Sequence, residues 1–203
     1  MKKKVVGIVG SYRKDRVTDN AVTAVLEGAA LAGAETKKIY LVDKHIEFCD
    51  NCRNCLQQKN VQLSRGKCVH NDDMEAILTE IEQADAIVLG SPINFSTVTA
   101  LMKRFTERLI VYAYWPWKAK VPKMRIKQKT KKAVIVTSSA CPAFIGRILM
   151  PNALSVLKAA ASCLGAKVVK KLYFGLVAAE ENAGLTPKEI EKARRAGMRL
   201  FDN

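Results

Sequence analysis

The sequence has no apolar run that could cross a bilayer and few acidic residues to offset its basic ones. A membrane-spanning helix needs about 20 consecutive apolar residues, whereas the apolar-rich stretches here, such as 84–89, are far shorter. The apolar stretch that follows the basic residues 2–4 is also too short for a signal peptide. We therefore expect a cytoplasmic protein with no membrane-spanning segment.

Two widespread nucleotide-binding signatures are missing as well. After Gly10 and Ser11 the sequence contains neither the second half of a Gly-x-Gly-x-x-Gly motif nor the Gly-Lys-Ser/Thr ending of a P-loop. Internal repeats and low-complexity tracts are also absent. Any nucleotide site in this chain must therefore be built from other loops.

The basic surplus is concentrated in one segment. The chain has 34 lysines and arginines against 19 aspartates and glutamates, a formal charge of +15 that raises the question of nucleic acid. About half of this surplus lies within 118–132, which contains no acidic residue. Net charge is therefore weak support for a nucleic-acid partner, and we do not expect one. The basic residues of the segment are Lys118, Lys120, Lys123, Arg125, Lys127, Lys129, Lys131 and Lys132.

Length and hydrophobic pattern predict one α/β domain spanning 1–203. A chain of 203 residues, 49% of them hydrophobic, is long enough for one core and too short for two ordinary domains. Strands that are almost entirely apolar, as at 5–9 and 133–136, are typical of a parallel sheet covered on both faces. The predicted strands are 4–9, 37–42, 86–89, 133–137 and 167–174, and the predicted helices are 20–31, 74–83, 101–111, 152–164 and 188–200.

Three loops that follow predicted strands carry polar groups suited to a ligand. In a doubly wound sheet, ligands bind beyond the carboxyl ends of the strands. The loop after the first strand, 10–20, offers hydroxyls, two arginines and a helix start, which suits a phosphate; it could instead be a plain turn capped by Thr18 or Asp19. The loop at 90–99 suits a planar heterocycle lying against Phe95, or is a helix entry capped by Ser96, Thr97 or Thr99. The third loop, 137–142, is small and polar.

These motifs together resemble the NADPH-dependent FMN reductase family, and within it the iron-sulfur flavoproteins. The resemblance covers roughly 4–175 and rests on Gly-Ser-x-Arg before a helix, Gly-Lys-Cys-Val-His-Asn-Asp-Asp-Met at 66–74, Ala-Asp-Ala-Ile-Val-Leu-Gly-Ser-Pro-Ile-Asn-Phe at 84–95 and Leu-Met-Lys-Arg-Phe-Thr-Glu-Arg-Leu at 101–109. It implies a flavodoxin-like three-layer sandwich whose five-stranded parallel sheet has the order 2-1-3-4-5. It also implies non-covalently bound FMN and assembly into homodimers or homotetramers.

The same resemblance assigns residues to the flavin. It implies that a phosphate loop holds Ser11, Arg13, Thr18, Asp19 and Asn20. A ring loop and a ring border follow, with Pro92, Ile93, Asn94, Phe95, Ser96, Ser138, Ser139 and Ala140. Tyr12 stands where relatives often have proline, 16–18 is Arg-Val-Thr rather than Gly-Asn-Thr or Ser-Asn-Thr, and Asn94 replaces an aromatic residue. No catalytic side chain is predicted, because hydride transfer is the chemistry of the cofactor.

Six cysteines add a second candidate site in the loop at 47–71. Cys49, Cys52 and Cys55 are spaced to place three thiolates on one metal centre, and the resemblance implies Cys68 as the fourth ligand of a [4Fe-4S] cluster. Twelve residues separate Cys55 from Cys68, a longer gap than in the iron-sulfur flavoproteins. A zinc site and ordinary packed thiols remain open alternatives. We expect Cys141 near the flavin, Cys163 in the core, and His45 and His70 as polar surface or capping residues.

These observations favour an FMN-dependent enzyme that oxidises NAD(P)H and reduces a quinone, a flavin or another small acceptor. The alternative is an electron carrier in which FMN and a [4Fe-4S] cluster exchange electrons with a redox protein.

The basic, aromatic loop at 112–132 admits three interpretations. It could form a subunit interface while attracting an acidic redox partner or the phosphates of NADP, bind nucleic acid, or be a solvated loop with buried aromatics.

Overall fold

The computed structural model describes residues 2–59, 64–178 and 183–202 and contains a parallel sheet of five long strands. Their order is β2-β1-β3-β4-β5, and each pairs in parallel with its neighbours. This confirms the order 2-1-3-4-5. The strands are β1 (Lys4–Val9), β2 (Glu35–Tyr40), β3 (Ala86–Asn94), β4 (Lys131–Ser138) and β5 (Ala166–Phe174).

Helices cover both faces of the sheet, as the apolar strands predict. Val5, Val9 and Val134 point towards α1 and α7, while Ile8, Ile87 and Ile135 point towards α3, α4 and α6. The result is a three-layer sandwich with a separate core on each side of the sheet. The helices are α1 (Val17–Leu31), α2 (Asn54–Gln57), α3 (Met74–Gln83), α4 (Ala100–Arg108), α5 (Ala143–Leu149), α6 (Asn152–Cys163) and α7 (Pro187–Met198).

The long predicted loops contain regular structure. The 47–71 segment includes α2, and the basic loop pairs Ala113–Tyr114 with Lys123–Met124 as a short hairpin. Strand β3 runs five residues beyond its predicted end and turns back through Phe95 and Ser96 to pair with Thr97–Val98. Helix α5 is unpredicted because its seven residues are too few to show a helical periodicity in the sequence.

Within the described ranges, no single helix is long and apolar enough to cross a membrane. Helices α5 and α6 reach that length and composition only when taken together, and they are bent by 74° relative to each other.

Candidate functional site

A polar cleft lies at the carboxyl ends of β1, β3 and β4, where the order of strands predicts a ligand site. Residues from all three predicted loops meet there, including both arginines of the first loop, and Val177 and Ala183 join them without having been predicted. The residues that line it are Ser11, Arg13, Arg16, Val17, Thr18, Pro92, Ser138, Val177 and Ala183.

One end of this cleft has the chemistry of a phosphate site. Helix α1 begins there after Arg16, and no side chain caps its first amides, so these donors and the positive end of the helix dipole are available to an anion. Thr18 and Ser138 are both buried, with their hydroxyl oxygens 2.9 Å apart. The Arg13 side chain is exposed and has no polar partner among the described residues.

Asp19 and Asn20 do not line the cleft. The Asp19 side chain is buried and accepts hydrogen bonds from Lys38 Nζ at 3.0 Å, Tyr40 Oη at 3.1 Å and the Asp15 amide at 2.8 Å. It therefore fixes the loop to β2 instead of facing a ligand. Asn20 donates to the carbonyl of Asp15 at 3.3 Å. The alternative in which Thr18 or Asp19 caps α1 is wrong, because Arg16 occupies that position.

The turn that follows Pro92, one of the residues lining the cleft, is strained and exposes an aromatic side chain. Phe95 and Ser96 both have positive φ, 46° and 66°, and the Phe95 side chain is 99% exposed. A bulky residue is rarely found in this left-handed region, which costs about 1–3 kcal/mol per residue unless the surroundings impose it. Pro92 and Ile93 are half-buried and Asn94 is exposed. The Thr99 side chain caps α4 by accepting a hydrogen bond from the amide of Met102. This confirms Thr99 among the three residues predicted as possible caps.

The loop after β4 combines buried hydroxyls with an exposed backbone. Ser139 is buried and donates to the carbonyl of Cys141 at 3.0 Å, while Ala140 is exposed. On the neighbouring strands, Thr137 Oγ1 and Tyr173 Oη are buried without a hydrogen-bond partner among the described residues. Unpaired buried hydroxyls are rare and costly. Thr137 opens the third predicted loop, whereas no sequence pattern identified Tyr173.

We expect the double substitution Phe95→Asn with Ser96→Gly to stabilise the FMN-free protein and weaken FMN binding. Asn-Gly is the pair that a two-residue turn with positive φ prefers, so the free energy of unfolding should rise by about 1–2 kcal/mol. Loss of the aromatic contact should raise the Kd for FMN about tenfold. Urea denaturation of FMN-free protein and quenching of FMN fluorescence measure the two effects. Val121→Asn, at an exposed apolar residue of the basic loop, is the control; unchanged FMN affinity in the double variant would assign Phe95 no contact with the ring.

The four clustered cysteines line a second cleft. Cys49, Cys52, Cys55 and Cys68 line it together with His70 and Arg108. Burial, and then the neighbouring thiols of Cys68, Cys49 and Cys52, raise the pKa of Cys55 to about 11. Among the described residues, no three histidine, cysteine or acidic side chains are close enough together to hold a single metal ion. Residues 60–63 of the Cys55–Cys68 gap lie outside the described residues.

A buried ion pair closes the cysteine loop at both of its ends. Arg108 Nη1 lies 2.5 Å from Asp72 Oδ2, and both side chains are almost completely buried. Arg108 also donates to the carbonyl of Glu47 at 2.8 Å, while Asp72 accepts from the amides of Glu47 and Met74. Burial alone would raise the pKa of Asp72, but these hydrogen bonds outweigh it and hold the pKa below its usual value.

The far side of the loop is anchored as firmly. Arg65 is buried and pairs with Glu75 and Glu82 of α3, and Gly66 donates to the carbonyl of Val111 at 2.7 Å. A side chain at Gly66 would lie 2.2 Å from the carbonyl oxygen of Cys55, so the two halves of the gap pack directly on each other. The long gap therefore still brings Cys68 to the other three cysteines.

The sequence is similar to those of known proteins. Residues 3–181 match the NADPH-dependent FMN reductase family. An iron-sulfur flavoprotein of Archaeoglobus fulgidus is 35% identical over 56% of this chain and 48% of its own length. One of Methanocaldococcus jannaschii is 38% identical over 52% of this chain and 51% of its own. The chain thus spans about half the length of the iron-sulfur flavoproteins it matches.

Solved structures show the same fold at low sequence identity. The NAD(P)H:quinone oxidoreductase of Methanothermobacter marburgensis has a TM-score of 0.68 and 18% identity, covering 98% of this chain and all of that protein. An FMN-dependent NADH-azoreductase from Bacillus anthracis, solved with FMN, has a TM-score of 0.67 and 11% identity over the full length of both chains. The chain therefore has a flavodoxin-like fold.

Proposed function

The chain belongs to the family of NADPH-dependent FMN reductases, and from this membership we propose that it is an FMN-dependent NAD(P)H oxidoreductase. We propose that it binds FMN in the polar cleft at the carboxyl edge of the sheet and reduces a quinone, a flavin or another small acceptor. The two reductases with the same fold are named for quinone and azo substrates, which supports an acceptor of this size.

The observation that carries the proposal is the lining of the cleft. The uncapped start of α1, with Arg13, Thr18 and Ser138, fits a phosphate. We assign the flavin ring to the side of Pro92, whose loop continues into the exposed Phe95. When bound, FMN supplies hydride and electron transfer. The chain's own residues hold the phosphate, orient the ring and shield one of its faces.

Steady-state oxidation of NADPH and NADH with a soluble quinone tests this activity. Protein loaded with FMN should oxidise at least one of the two nucleotides, and protein stripped of flavin should regain turnover when FMN is added. A flavin-loaded protein that oxidises neither would exclude the reductase function.

A second function is favoured by the cysteine cleft. We propose as the alternative that the protein is an iron-sulfur flavoprotein, in which Cys49, Cys52, Cys55 and Cys68 hold a [4Fe-4S] cluster and a redox protein is the partner. Each iron of such a cluster takes one cysteine, so its ligands lie further apart than those of a single ion. Zinc would need its thiolates about 2.3 Å from one point. What supports the cluster is that the four cysteines line one cleft and that the matched relatives are named iron-sulfur flavoproteins.

We expect Cys68→Ser to remove bound iron while Cys163→Ser leaves it unchanged. Serine at position 68 takes away one of four ligands, whereas Cys163 is a half-buried thiol packed against the core on α6. After anaerobic purification, iron analysis and the absorbance at about 400 nm measure the difference. Wild-type protein with flavin but no iron would reject the cluster and leave the reductase proposal intact.

Assembly and location follow as further proposals. Helix α5 exposes Phe144, Ile148 and Leu149 beside the loop that borders the flavin cleft, and exposed apolar patches of this kind mark association surfaces. We propose a cytoplasmic homodimer or homotetramer. Light scattering coupled to gel filtration measures the mass, and a monomer at micromolar concentration would contradict it.

A further inference from the structure

The free edge of strand β5 lies between two clefts lined by basic side chains. Strand β5 pairs with β4 on one side, and no strand within the described ranges pairs with its other side. On one face of the sheet, β5 and α7 form a cleft with Lys170, Lys188, Lys192, Arg195 and Arg199. On the opposite face, β5 and α6 form a cleft with Lys129, Lys158, Lys167 and Lys171. All nine basic side chains are exposed.

Almost none of this charge is neutralised by the protein. Among the described residues, only Arg195 of the nine forms an ion pair, with Glu191 at 2.8 Å. Glu189, the other acid in the clefts, is occupied in capping α7 through Thr186. The lysines of the opposite edge strand β2 are different, because Lys37 pairs with Glu80 and Lys38 with Asp19. Like charges gathered without counter-charges repel each other, so this edge favours an anionic partner.

The strand geometry indicates what shape that partner has. An edge strand offers outward-facing amide and carbonyl groups to an added strand, and the side chains of such a strand alternate between the two faces of the sheet. Here both faces lead into a basic cleft. We propose that the free edge of β5 binds an extended acidic segment of a partner protein, which pairs with β5 as an additional strand and places carboxylates in both clefts.

Nucleic acid fits this edge less well. Proteins that bind single strands stack bases on aromatic side chains, and no aromatic residue lines either cleft in the described part of the chain. Glu189 and Glu191 also lie in one of the two clefts, where they would repel a phosphate backbone. An acidic peptide, by contrast, gains backbone hydrogen bonds along the strand as well as the charge contacts.

Fluorescence polarisation with a synthetic peptide tests the proposal. The probe is a labelled, glutamate-rich peptide of nine residues, the length of β5, and its control carries N-methyl groups at alternate residues and keeps every charge. We expect the wild-type protein to bind the probe at least about tenfold more tightly than the methylated peptide, because methylation removes strand pairing. Lys170→Glu with Lys171→Glu should weaken binding at least about tenfold.

The matched control is Lys120→Glu with Lys127→Glu, which makes the same change of net charge at exposed, unpaired lysines of the basic loop; it should shift the Kd by less than about twofold. Lys188→Glu with Lys192→Glu provides a second test from α7 if the β5 variant does not fold. Equal binding of the methylated peptide, an equal loss in the control variant, or no binding at low salt would each overturn the proposal. So would displacement of the peptide by an oligothymidine of the same charge, which would assign the edge to nucleic acid.

Discussion

Replacing Arg108 by methionine is expected to lower the free energy of unfolding by about 3–5 kcal/mol, because the change leaves the buried Asp72 carboxylate without its partner. Both side chains are at most 2% exposed, so water cannot take the place of the guanidinium. The substitution also removes the hydrogen bond to the carbonyl of Glu47, which frees one end of the cysteine loop.

Urea denaturation measures the change, with Lys103→Met as the control on the same helix. Lys103 is exposed and its ion pair with Glu107 spans 3.4 Å, so its loss should cost no more than about 1 kcal/mol. Adding Asp72→Asn to Arg108→Met should restore part of the lost stability, since it removes the unpaired charge. Wild-type stability in Arg108→Met would show that the pair does not hold the loop.

The Asp72 carboxylate makes the free energy of unfolding fall in acid. Because Asp72 has a folded pKa below its usual 3.8, its contribution is fully present above that value and is lost as the pH falls through the folded pKa. The wild-type protein should therefore lose stability below about pH 4. In the Arg108→Met variant the carboxyl is buried without its cation, so this particular loss in acid should shrink or reverse.

The charge reversal Arg13→Glu is expected to weaken FMN binding by about 10–100-fold, the loss of one charge-assisted hydrogen bond of about 1.5–3 kcal/mol. Riboflavin lacks the phosphate, so its affinity should change little. The Arg13 side chain is exposed and supports no described contact of the fold, which separates binding from stability.

Parallel titrations of the wild-type and variant proteins with FMN and with riboflavin measure the change in Kd for each ligand. Lys120→Glu changes the net charge equally at a distant loop and should leave both affinities unchanged. If Arg13→Glu weakens riboflavin as much as FMN, Arg13 does not contact the phosphate.

The fold was predictable because the strands with the most burial carry almost only apolar residues. Val5, Val6, Ile87 and Val134 are all fully buried, so their sequence signal is strong and position-specific. The ends of the strands were less predictable where pairing with a neighbouring strand determines them. Strand β3 extends past its predicted end because β4 pairs with it as far as Pro92 and Thr97–Val98 pairs with Ile93 and Asn94, and no local pattern encodes these partners.

The site was predictable as a group of loops but not as a set of contacts. Ser11, Arg13, Thr18, Pro92 and Ser138 line one cleft, as the order of strands predicts. The other predicted residues do not line it: Asp19, Asn20, Ile93, Asn94, Phe95, Ser96, Ser139 and Ala140. Asp19 shows why, since its position at the start of a helix suggests a ligand contact, but its side chain is buried beside Lys38 and Tyr40. Arg108 and Asp72 were missed because they lie 36 residues apart, and their pairing depends on how the cysteine loop closes.

Anaerobic titration of the FMN-loaded protein with NADPH and NADH tests the central claim most directly. The claim predicts that about one equivalent of at least one nucleotide abolishes the flavin absorbance at about 450 nm. The Arg13→Glu protein should show the same change only when it is saturated with FMN. If dithionite bleaches the bound flavin but neither nucleotide does, the protein is not an NAD(P)H oxidoreductase. If the protein binds no FMN at all, the assignment of the cleft is wrong.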